Sequence, residues 1–360
     1  MIQTSANLSF LRYCLGNNEN MSEVLVKLNW LNLYSFASRQ TVLGICFDGI
    51  GRLGQEYSDE LKKNPIARDL LMTWMGKAQQ IRRQNMKVNA VAGKLFSMLR
   101  EDGLRCCTLK GQGNALMYPN PYSRTSGDID VWVNASREQI TEYAKKHFEI
   151  GDDIRFHHLE TSFDGVPVEL HFFPGIMNNP IYNVRLQKWF KRNADLQCSN
   201  VVSLPDGIVY QLTHLYHHFF DEGIGMRQII DYYFVLVKSE ERRVKNLTAL
   251  QRELKHLGLW KFAGAVMYVL HEAFGLEEEK MIAPTNEKEG KFLLDEIMRG
   301  GNFGQYDDRL GDKTGEGKVH RYFRMSLRNM RFVKHYPSEA ICEPLFRTWF
   351  WTWKKLNVTK

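Results

Sequence analysis

Two carboxylates separated by one residue, Asp128 and Asp130, are the acids of this 360-residue chain whose spacing best suits catalysis. They lie at the start of a β-branched apolar segment, Ile129–Val133, which predicts a strand. Because side chains two residues apart on a strand point to the same face, both carboxylates face one way while the apolar residues enter the core. Such a pair predicts a Mg²⁺ site beside phosphate groups; the alternative is an ordinary exposed strand end.

A third acid, Glu169, lies in the second strand of a predicted hairpin. The Asp164–Gly165 turn joins two segments of strand length, residues 155–163 and 166–173, and Asp-Gly is a strong hairpin signal. Three acids that hold two ions, Mg²⁺ or Mn²⁺, can activate an attacking oxygen and stabilise a leaving oxygen in phosphoryl transfer. We predict that these three acids hold two ions. The alternative for Glu169 is a solvated position on the open face of the hairpin.

A two-residue turn also predicts the register of the hairpin. Glu169 then lies opposite Glu160, and His171 lies opposite His158, all on one side of the sheet. We expect His158 or His171 near the ions, as a base or as an orienting group. The alternative is that both are polar residues of the open face.

Three short motifs around these acids resemble a known family. They are Lys110-Gly111, then Arg124 with Gly127-Asp128-Ile129-Asp130, and Val168-Glu169-Leu170-His171. Together they resemble the uncharacterised nucleotidyltransferase family of the polymerase-beta-like superfamily. The resemblance covers about residues 77–235 and extends to His214, His217, Arg227 and Asp231.

The resemblance implies transfer of a nucleoside monophosphate from a nucleoside triphosphate to an acceptor, with release of pyrophosphate. It also implies that the turn after the first strand, Lys110 with Gly111 and Gln112, contacts the nucleotide phosphates, and that Gly127 belongs to the nucleotide-binding residues. Superfamily members commonly have Gly-Ser at this turn, where this chain has Gly111-Gln112. The acceptor stays open between a small molecule, a protein side chain and an RNA end.

Two arginines and one acid near these motifs each have two interpretations. The planar guanidinium of Arg124 suits a phosphate or a carboxylate, and it could equally cap its own loop. Arg227 and Asp231 are four residues apart on a predicted helix, a spacing that favours an intrahelical ion pair. Through the resemblance, both could instead face the nucleotide.

The order of predicted elements indicates an α+β fold with a small mixed sheet flanked by helical regions. We divide the chain into an N-terminal helical region (1–100), a catalytic core (101–203), a C-terminal helical domain (204–299) and a Gly-rich loop with a basic aromatic tail (300–360). Breaks in the N-terminal helices are expected at residues 17–20, 49–54 and 64–65. Residues 77–100 are predicted as one helix, Leu104–Leu109 as a strand, and residues 206–275 as helical.

A capping-box spacing, Ser136 with Gln139, predicts the start of the helix that follows the acidic strand and runs to about His147.

The net charge of +7 is located in the tail, since residues 321–360 contain nine Lys or Arg against two acids. Arg321, Arg324, Arg328 and Arg331 recur at helical spacing and form one basic face. A solvated face is the simpler interpretation, and attraction of RNA, an anionic membrane or the triphosphate is the alternative. Trp349, Trp351 and Trp353 either pack on the domain or stack on a partner.

Other potential ligand residues do not predict a metal cluster. The six cysteines lack CxxC spacing, which favours reduced, buried thiols. His214, His217 and His218 share a helical face without the partners of a zinc site. No run of eighteen apolar residues and no secretory signal are visible, so we expect a cytoplasmic chain; the oligomeric state is left open.

The sequence thus predicts a metal-dependent nucleotidyltransferase. One alternative is a catalytically silent protein of the same fold that senses nucleotides or binds a partner. The second is an RNA-binding module that uses the basic tail.

Overall fold

The sheet and its flanking helices form an α+β fold, which confirms the predicted fold class. The structure is a computed structural model that describes residues 2–193, 204–239, 247–311 and 317–357. Within these ranges, each helix is too short or too polar to cross a lipid bilayer.

Six helices precede the sheet: α1 (Ile2–Cys14), α2 (Met21–Lys27), α3 (Trp30–Arg39), α4 (Leu43–Glu56), α5 (Ser58–Lys63) and α6 (Arg68–Glu101). The breaks predicted at residues 17–20 and 64–65 are confirmed, whereas the break predicted at 49–54 is wrong because α4 continues through it. A Cβ atom at Gly49 would overlap the Sγ atom of Cys14, so this glycine lets α4 pack closely on α1. Glycine serves helix packing here, and it does not end the helix.

Helix α6 lies under the sheet and also holds the loop that leads to the acids. Its buried stripe includes Val88 and Leu95. The amide of Asn85 donates to the carbonyl oxygens of Tyr122 at 2.9 Å and Arg124 at 2.7 Å. The helix begins well before the predicted residue 77.

Five strands form the sheet: β1 (Cys106–Thr108), β2 (Ile129–Val133), β3 (Glu149–Ile154), β4 (His158–Phe163) and β5 (Val166–His171). Their order is β1-β2-β5-β4-β3, with β2 and β5 parallel and the other pairs antiparallel. Strand β3 was absent from the sequence prediction. Two helices lie between the strands, α7 (Gln112–Ala115) and α8 (Arg137–His147), and the predicted capping box begins α8.

The Asp164–Gly165 turn produces the predicted hairpin. Both residues have positive φ, 49° and 67°, as a two-residue turn matched to strand twist requires. His158 pairs with His171, and Glu160 pairs with Glu169, so the predicted register is confirmed.

The two faces of the sheet have different neighbours. One face carries Ile129, Val131, Val168 and Leu170 and packs on α6 and α8 in a hydrophobic cluster of its own. Alternation along the strands places Asp130 and Glu169 on the opposite face, toward the C-terminal helices.

Eight described helices follow the sheet: α9 (Pro180–Asn193), α10 (Leu204–Asp221), α11 (Met226–Ser239), α12 (Leu247–His256), α13 (Trp260–Phe274), α14 (Glu287–Gly300), α15 (Lys318–Met330) and α16 (Pro337–Asn357). Short 3₁₀ turns lie at Pro121–Ser123, Glu278–Lys280, Asn302–Gly304 and Asp308–Leu310. The largest hydrophobic cluster joins helices from before and after the sheet, with Phe10, Trp74, Phe219 and Phe262 all fully buried in it. The four-part division of the chain stays a prediction.

The tail differs from the expected solvated basic face. Arg328 is 4% exposed and donates to the carbonyl oxygens of Phe219 and Phe220, while Arg331 pairs with Glu296 and Asp307. The expected face is therefore wrong for two of its four arginines, because α15 turns that side toward buried acceptors. Arg321 pairs with Glu222 and remains more than half exposed.

The described part of the Gly-rich segment is also packed. Asp307 is buried and binds Arg309, which forms a second ion pair with Glu296. These ion pairs hold residues 300–311 of the predicted Gly-rich loop against α14.

Five cysteines lie in the described residues, and no disulfide joins any two of them. Cys14, Cys46, Cys106 and Cys107 are buried, whereas Cys342 is partly exposed. Cys198 lies outside the described residues.

Candidate functional site

The acids predicted to converge lie on one side of the parallel strand pair. Asp130 of β2 and Glu169 of β5 are register partners, and directly paired residues of adjacent strands point to the same face. Asp128 lies two residues before Asp130 and lines the same cleft. Asp130 is 1% exposed, whereas Asp128 and Glu169 are half-buried. The structure thus brings together three acidic side chains that are far apart in the chain.

Two basic side chains contact these acids. Lys110 Nζ lies 3.1 Å from Asp130 Oδ1, and His171 Nε2 lies 3.2 Å from both Asp130 Oδ1 and Glu169 Oε2. Burial alone would lower the pKa of His171, but its hydrogen bonds to the two carboxylates raise it to about 9. Burial likewise opposes the charge on Lys110, and the charges of Asp130 and its neighbouring acids raise the Lys110 pKa. Both side chains are therefore cationic at neutral pH in this arrangement.

The Asp130–Glu169 pair fits a cation because one of its buried carboxylate oxygens has no hydrogen-bond partner. Asp130 Oδ2 is buried and has no hydrogen-bond partner, which for a buried polar atom calls for an explanation such as an ion or a water. One ligand atom each from Asp130, Glu169 and His171 lie within 4.8 Å of one another. Among the described residues, Asp128 falls outside this group of three, although it lines the cleft beside it.

Histidines extend the acid pair toward the edge of the sheet. His158 Nδ1 lies 3.4 Å from Glu169 Oε2, and the His158 and His171 rings are 5.1 Å apart between centroids. The predicted candidates His158 and His171 therefore both lie beside the acids. The ring centroids of His157 and His158 are 4.4 Å apart, and His157 was not among the residues predicted from the sequence.

The residues of the turn that carries Lys110 do not all face the cleft. Gly111 has φ 64°, a value that favours glycine, and it lines the cleft with Lys110 and Gly127. The Gln112 side chain instead turns toward α6 and donates to Asn89. Of the predicted turn residues, Gln112 is thus the one whose side chain points away from the acids.

Arg124 and Asp231 form a buried pair that organises the cleft wall. Arg124 donates from Nε at 2.8 Å and from Nη2 at 2.7 Å to the two oxygens of Asp231, which also accepts from the Tyr118 hydroxyl at 2.6 Å. Burial would raise the pKa of Asp231, but the charge of Arg124 lowers it. The expected ion pair between Arg227 and Asp231 is wrong, because Asp231 is used by Arg124.

Arg227 is left facing the cleft. Its Nη1 donates to the Thr125 carbonyl oxygen at 2.9 Å, while Nε is buried without a partner. Burial lowers the pKa of Arg227, and Arg124 adds to this through like charge. The nearby Asp231 carboxylate is held by Arg124 and not by this guanidinium. Arg227 is therefore a cation available to an anionic ligand beside Gly127.

One cleft of about 530 Å³ is lined by the three acids, Lys110, Arg227, the Arg124–Asp231 pair and His157, His158 and His171. Its floor is the open sheet face, and its walls come from α10, α11 and α16, with Thr41 of the N-terminal region at one side. A smaller pocket of about 430 Å³ adjoins it, with Asp128, Glu160 and Glu169 shared between the two. A ligand of nucleotide size would fit such a volume.

The wall opposite the acids is rich in imidazole and aromatic rings. Burial lowers the pKa of His214 and His217, and lowers that of His218 to about 3, so these rings are neutral. In the residues that the structure describes, the groups whose ligand atoms lie close enough to hold a metal ion do not include these three histidines.

Tail residues that the sequence did not assign also reach this cleft. Phe346 and Phe350 of α16 line it, and both pack edge-on against Phe156. Trp349 packs on the same ring and Trp353 lies over Arg137, so these two tail tryptophans pack on the domain. The adjacent pair His157-His158, near the start of the predicted strand 155–163, was the sequence signal that could have identified His157.

A family model described as uncharacterised nucleotidyltransferase matches residues 27–275. Comparison with curated proteins and with solved structures gives no significant match. The matched region contains the sheet, the Lys110 turn, the three acids and the Arg124–Asp231 pair.

Proposed function

The chain belongs to the uncharacterised nucleotidyltransferase family, and from this premise we propose that it transfers a nucleoside monophosphate from a nucleoside triphosphate to an acceptor hydroxyl. One observation carries the proposal: Asp130 and Glu169 are paired across parallel strands, with Asp128 beside them in the same cleft. A purely structural role would leave such a group of buried acids without a reason to converge.

Asp128, Asp130 and Glu169 would hold two divalent ions, Mg²⁺ or Mn²⁺. The partnerless buried Oδ2 atom of Asp130 supports this fit, and carboxylate oxygens are the ligands that these hard ions prefer. When bound, the two ions would polarise the acceptor oxygen and stabilise charge on the leaving pyrophosphate.

The triphosphate would lie between the acids and the basic residues of the cleft. Lys110 and Arg227 supply positive charge, and Gly111 and Gly127 line the same space without side chains. Arg124 has a different part in the proposal: its guanidinium is committed to Asp231, so it positions the loop before Asp128. Gln112 has no direct part, since its side chain points to α6.

In the transfer step, the acceptor oxygen forms a bond to the α-phosphorus, and the bond from that phosphorus to the pyrophosphate oxygen breaks. The acceptor proton passes to a side chain of the site. Glu169 and His158, 3.4 Å apart, are the groups placed to receive it. His171 would hold Asp130 and Glu169 in their relative positions through its two contacts at 3.2 Å.

The decisive experiment is label transfer. The protein is incubated with each α-³²P-labelled nucleoside triphosphate, Mg²⁺ or Mn²⁺ and a cell extract divided into small-molecule, protein and RNA fractions. We expect label in one fraction with the native chain, and none with Asp128→Asn or Asp130→Asn. Asp164→Asn, an exposed acid on the hairpin turn, is the matched control and should retain transfer.

The same experiment separates the two alternatives. A silent nucleotide-sensing or partner-binding protein would bind nucleotide and label nothing, and equal labelling by the native and Asp130→Asn proteins would refute the catalytic assignment. An RNA-binding module would lose RNA binding when Arg321 and Arg324 are changed to Gln. Arg328 is excluded from that variant because it is buried against the Phe219 and Phe220 carbonyls.

A further inference from the structure

Three histidines lie together at the edge of the acid pair, and two of them, His158 and His171, also have roles in the proposed transfer. One ring nitrogen each from His157, His158 and His171 lie within 4.8 Å of one another. His158 and His171 are partners across the β4–β5 pair, and His157 directly precedes β4. The three rings thus come from two neighbouring strand ends and are held at fixed spacing by the sheet.

Two of the three rings, those of His157 and His158, have nitrogens without the partners that buried polar atoms normally have. His158 is 7% exposed, and neither of its ring nitrogens forms a hydrogen bond. His157 Nδ1 is likewise buried without a partner. Leaving a buried donor or acceptor unsatisfied costs about 1–3 kcal/mol. These unpartnered nitrogens, on two rings that lie beside His171, call for a bound species as an explanation.

The surroundings favour a cation in that space. His171 Nδ1 lies 3.3 Å from the Phe173 carbonyl oxygen, which orients the ring so that Nε2 faces the Asp130 and Glu169 carboxylates. An ion bound at Nε2 would therefore lie beside these acids. Metal-ligating histidines usually have such a second contact, which fixes the ring and its tautomer. The backbone of His157 is fixed by a hydrogen bond from the Phe172 N–H to the His157 carbonyl oxygen at 2.8 Å. Glu169 Oε2, 3.4 Å from His158 Nδ1, adds negative charge beside the rings.

We infer that His157, His158 and His171 bind one transition-metal ion, of the class of Zn²⁺, Co²⁺ or Mn²⁺, beside the catalytic acids. Imidazole nitrogens suit these ions, whereas Mg²⁺ prefers oxygen ligands and keeps its waters. Binding releases a proton from His171, since a ligating imidazole is neutral. The inference does not depend on nucleotidyl transfer, because the ion can bind whether or not the chain labels an acceptor.

The test is Co²⁺ titration of the full-length, metal-stripped protein, followed by visible absorption and by calorimetry. With millimolar Mg²⁺ present to fill the acid site, we expect one Co²⁺ ion per chain, with the d–d bands of a nitrogen-ligated site. His157→Gln and His158→Gln should each weaken Co²⁺ binding by at least about tenfold. His214→Gln, a cleft histidine outside the group, is the matched control and should bind Co²⁺ as the native chain does.

Two further measurements keep the outcomes distinct. Circular dichroism of each variant reports whether it is folded, and Asp128→Asn should bind Co²⁺ normally even though it loses transfer. Failure of label transfer with intact Co²⁺ binding would refute only the enzymatic proposal. Absence of stoichiometric Co²⁺ binding, unchanged binding by His158→Gln, or full displacement by Mg²⁺ would overturn the metal site.

Discussion

Two buried carboxylates line the same cleft, and their surroundings differ. Asp231 accepts from three donors, two from Arg124 and one from Tyr118, and both of its oxygens are used. Asp130 is as deeply buried, but only its Oδ1 has contacts, with Lys110 and His171, while Oδ2 has none. One carboxylate is fully satisfied by the protein, and the other is not.

This difference indicates a structural role for Asp231 and a ligand-binding role for Asp130. A fully hydrogen-bonded buried ion pair has no capacity left for a ligand, whereas a buried oxygen without a partner retains its affinity for a cation. Both acids lie in motifs that resemble the family, so residue type alone did not distinguish them. Four predictions test whether charged groups that the protein satisfies act mainly on stability and unsatisfied ones mainly on activity.

The largest effect, on the rate of label transfer, is expected among the proposed ion-binding acids. Glu169→Gln removes one charge from the proposed ion-binding acids, and metal ions supply several kcal/mol of transition-state stabilisation. We expect the rate of label transfer to fall by at least about 10³-fold. The free energy of unfolding should fall by less than it does for the buried Arg124–Asp231 pair, since Glu169 is half-buried. Transfer rates and denaturant melts of the two proteins check both parts, and a large loss of stability would contradict the assignment.

The satisfied pair should behave in the opposite way. Arg124→Met leaves Asp231 buried without its cation, and breaking a buried pair costs about 3–5 kcal/mol. Chemical denaturation should show this loss in the free energy of unfolding. The double variant Arg124→Met, Asp231→Leu should recover part of it, because no uncompensated charge remains. If Arg124→Met were stable and only nucleotide affinity fell, Arg124 would be a phosphate ligand as the resemblance first suggested.

Glu339 is a third buried carboxylate, with donors but no cation. It is 1% exposed, and its side chain accepts hydrogen bonds from the backbone N–H groups of Asn178 and Asn179. Burial raises the pKa of Glu339 from 4.5 to about 7. The folded protein therefore binds more protons than the unfolded chain between these values, so this group's contribution to stability is lost as pH rises from 4.5 to 7. The loss is on the order of 3 kcal/mol. The stability advantage of the native chain over Glu339→Gln should therefore shrink between pH 5 and pH 8, and a constant difference would contradict the raised pKa.

Local sequence signals predicted the sheet side of the site well. The alternation around Asp130, the Asp164–Gly165 turn and the resulting pairing of Glu169 are all set by short-range geometry. Long-range choices were not predictable in the same way. The partner of Asp231 is Arg124, 107 residues away, although Arg227 has the better local spacing. The tail arginine Arg328 became buried because acceptors on α10 lie opposite it.

The smallest effect is expected for an ion pair that is neither buried nor part of the cleft. Lys94 Nζ lies 2.8 Å from Asp164 Oδ2, with the two side chains 67% and 45% exposed. Exposed pairs contribute about 0–1 kcal/mol because water screens them and both side chains lose conformational freedom. Lys94→Ala should therefore change the free energy of unfolding by less than about 1 kcal/mol and leave label transfer intact. A loss as large as that of Arg124→Met would mean that burial is not what distinguishes the charged pairs of this protein.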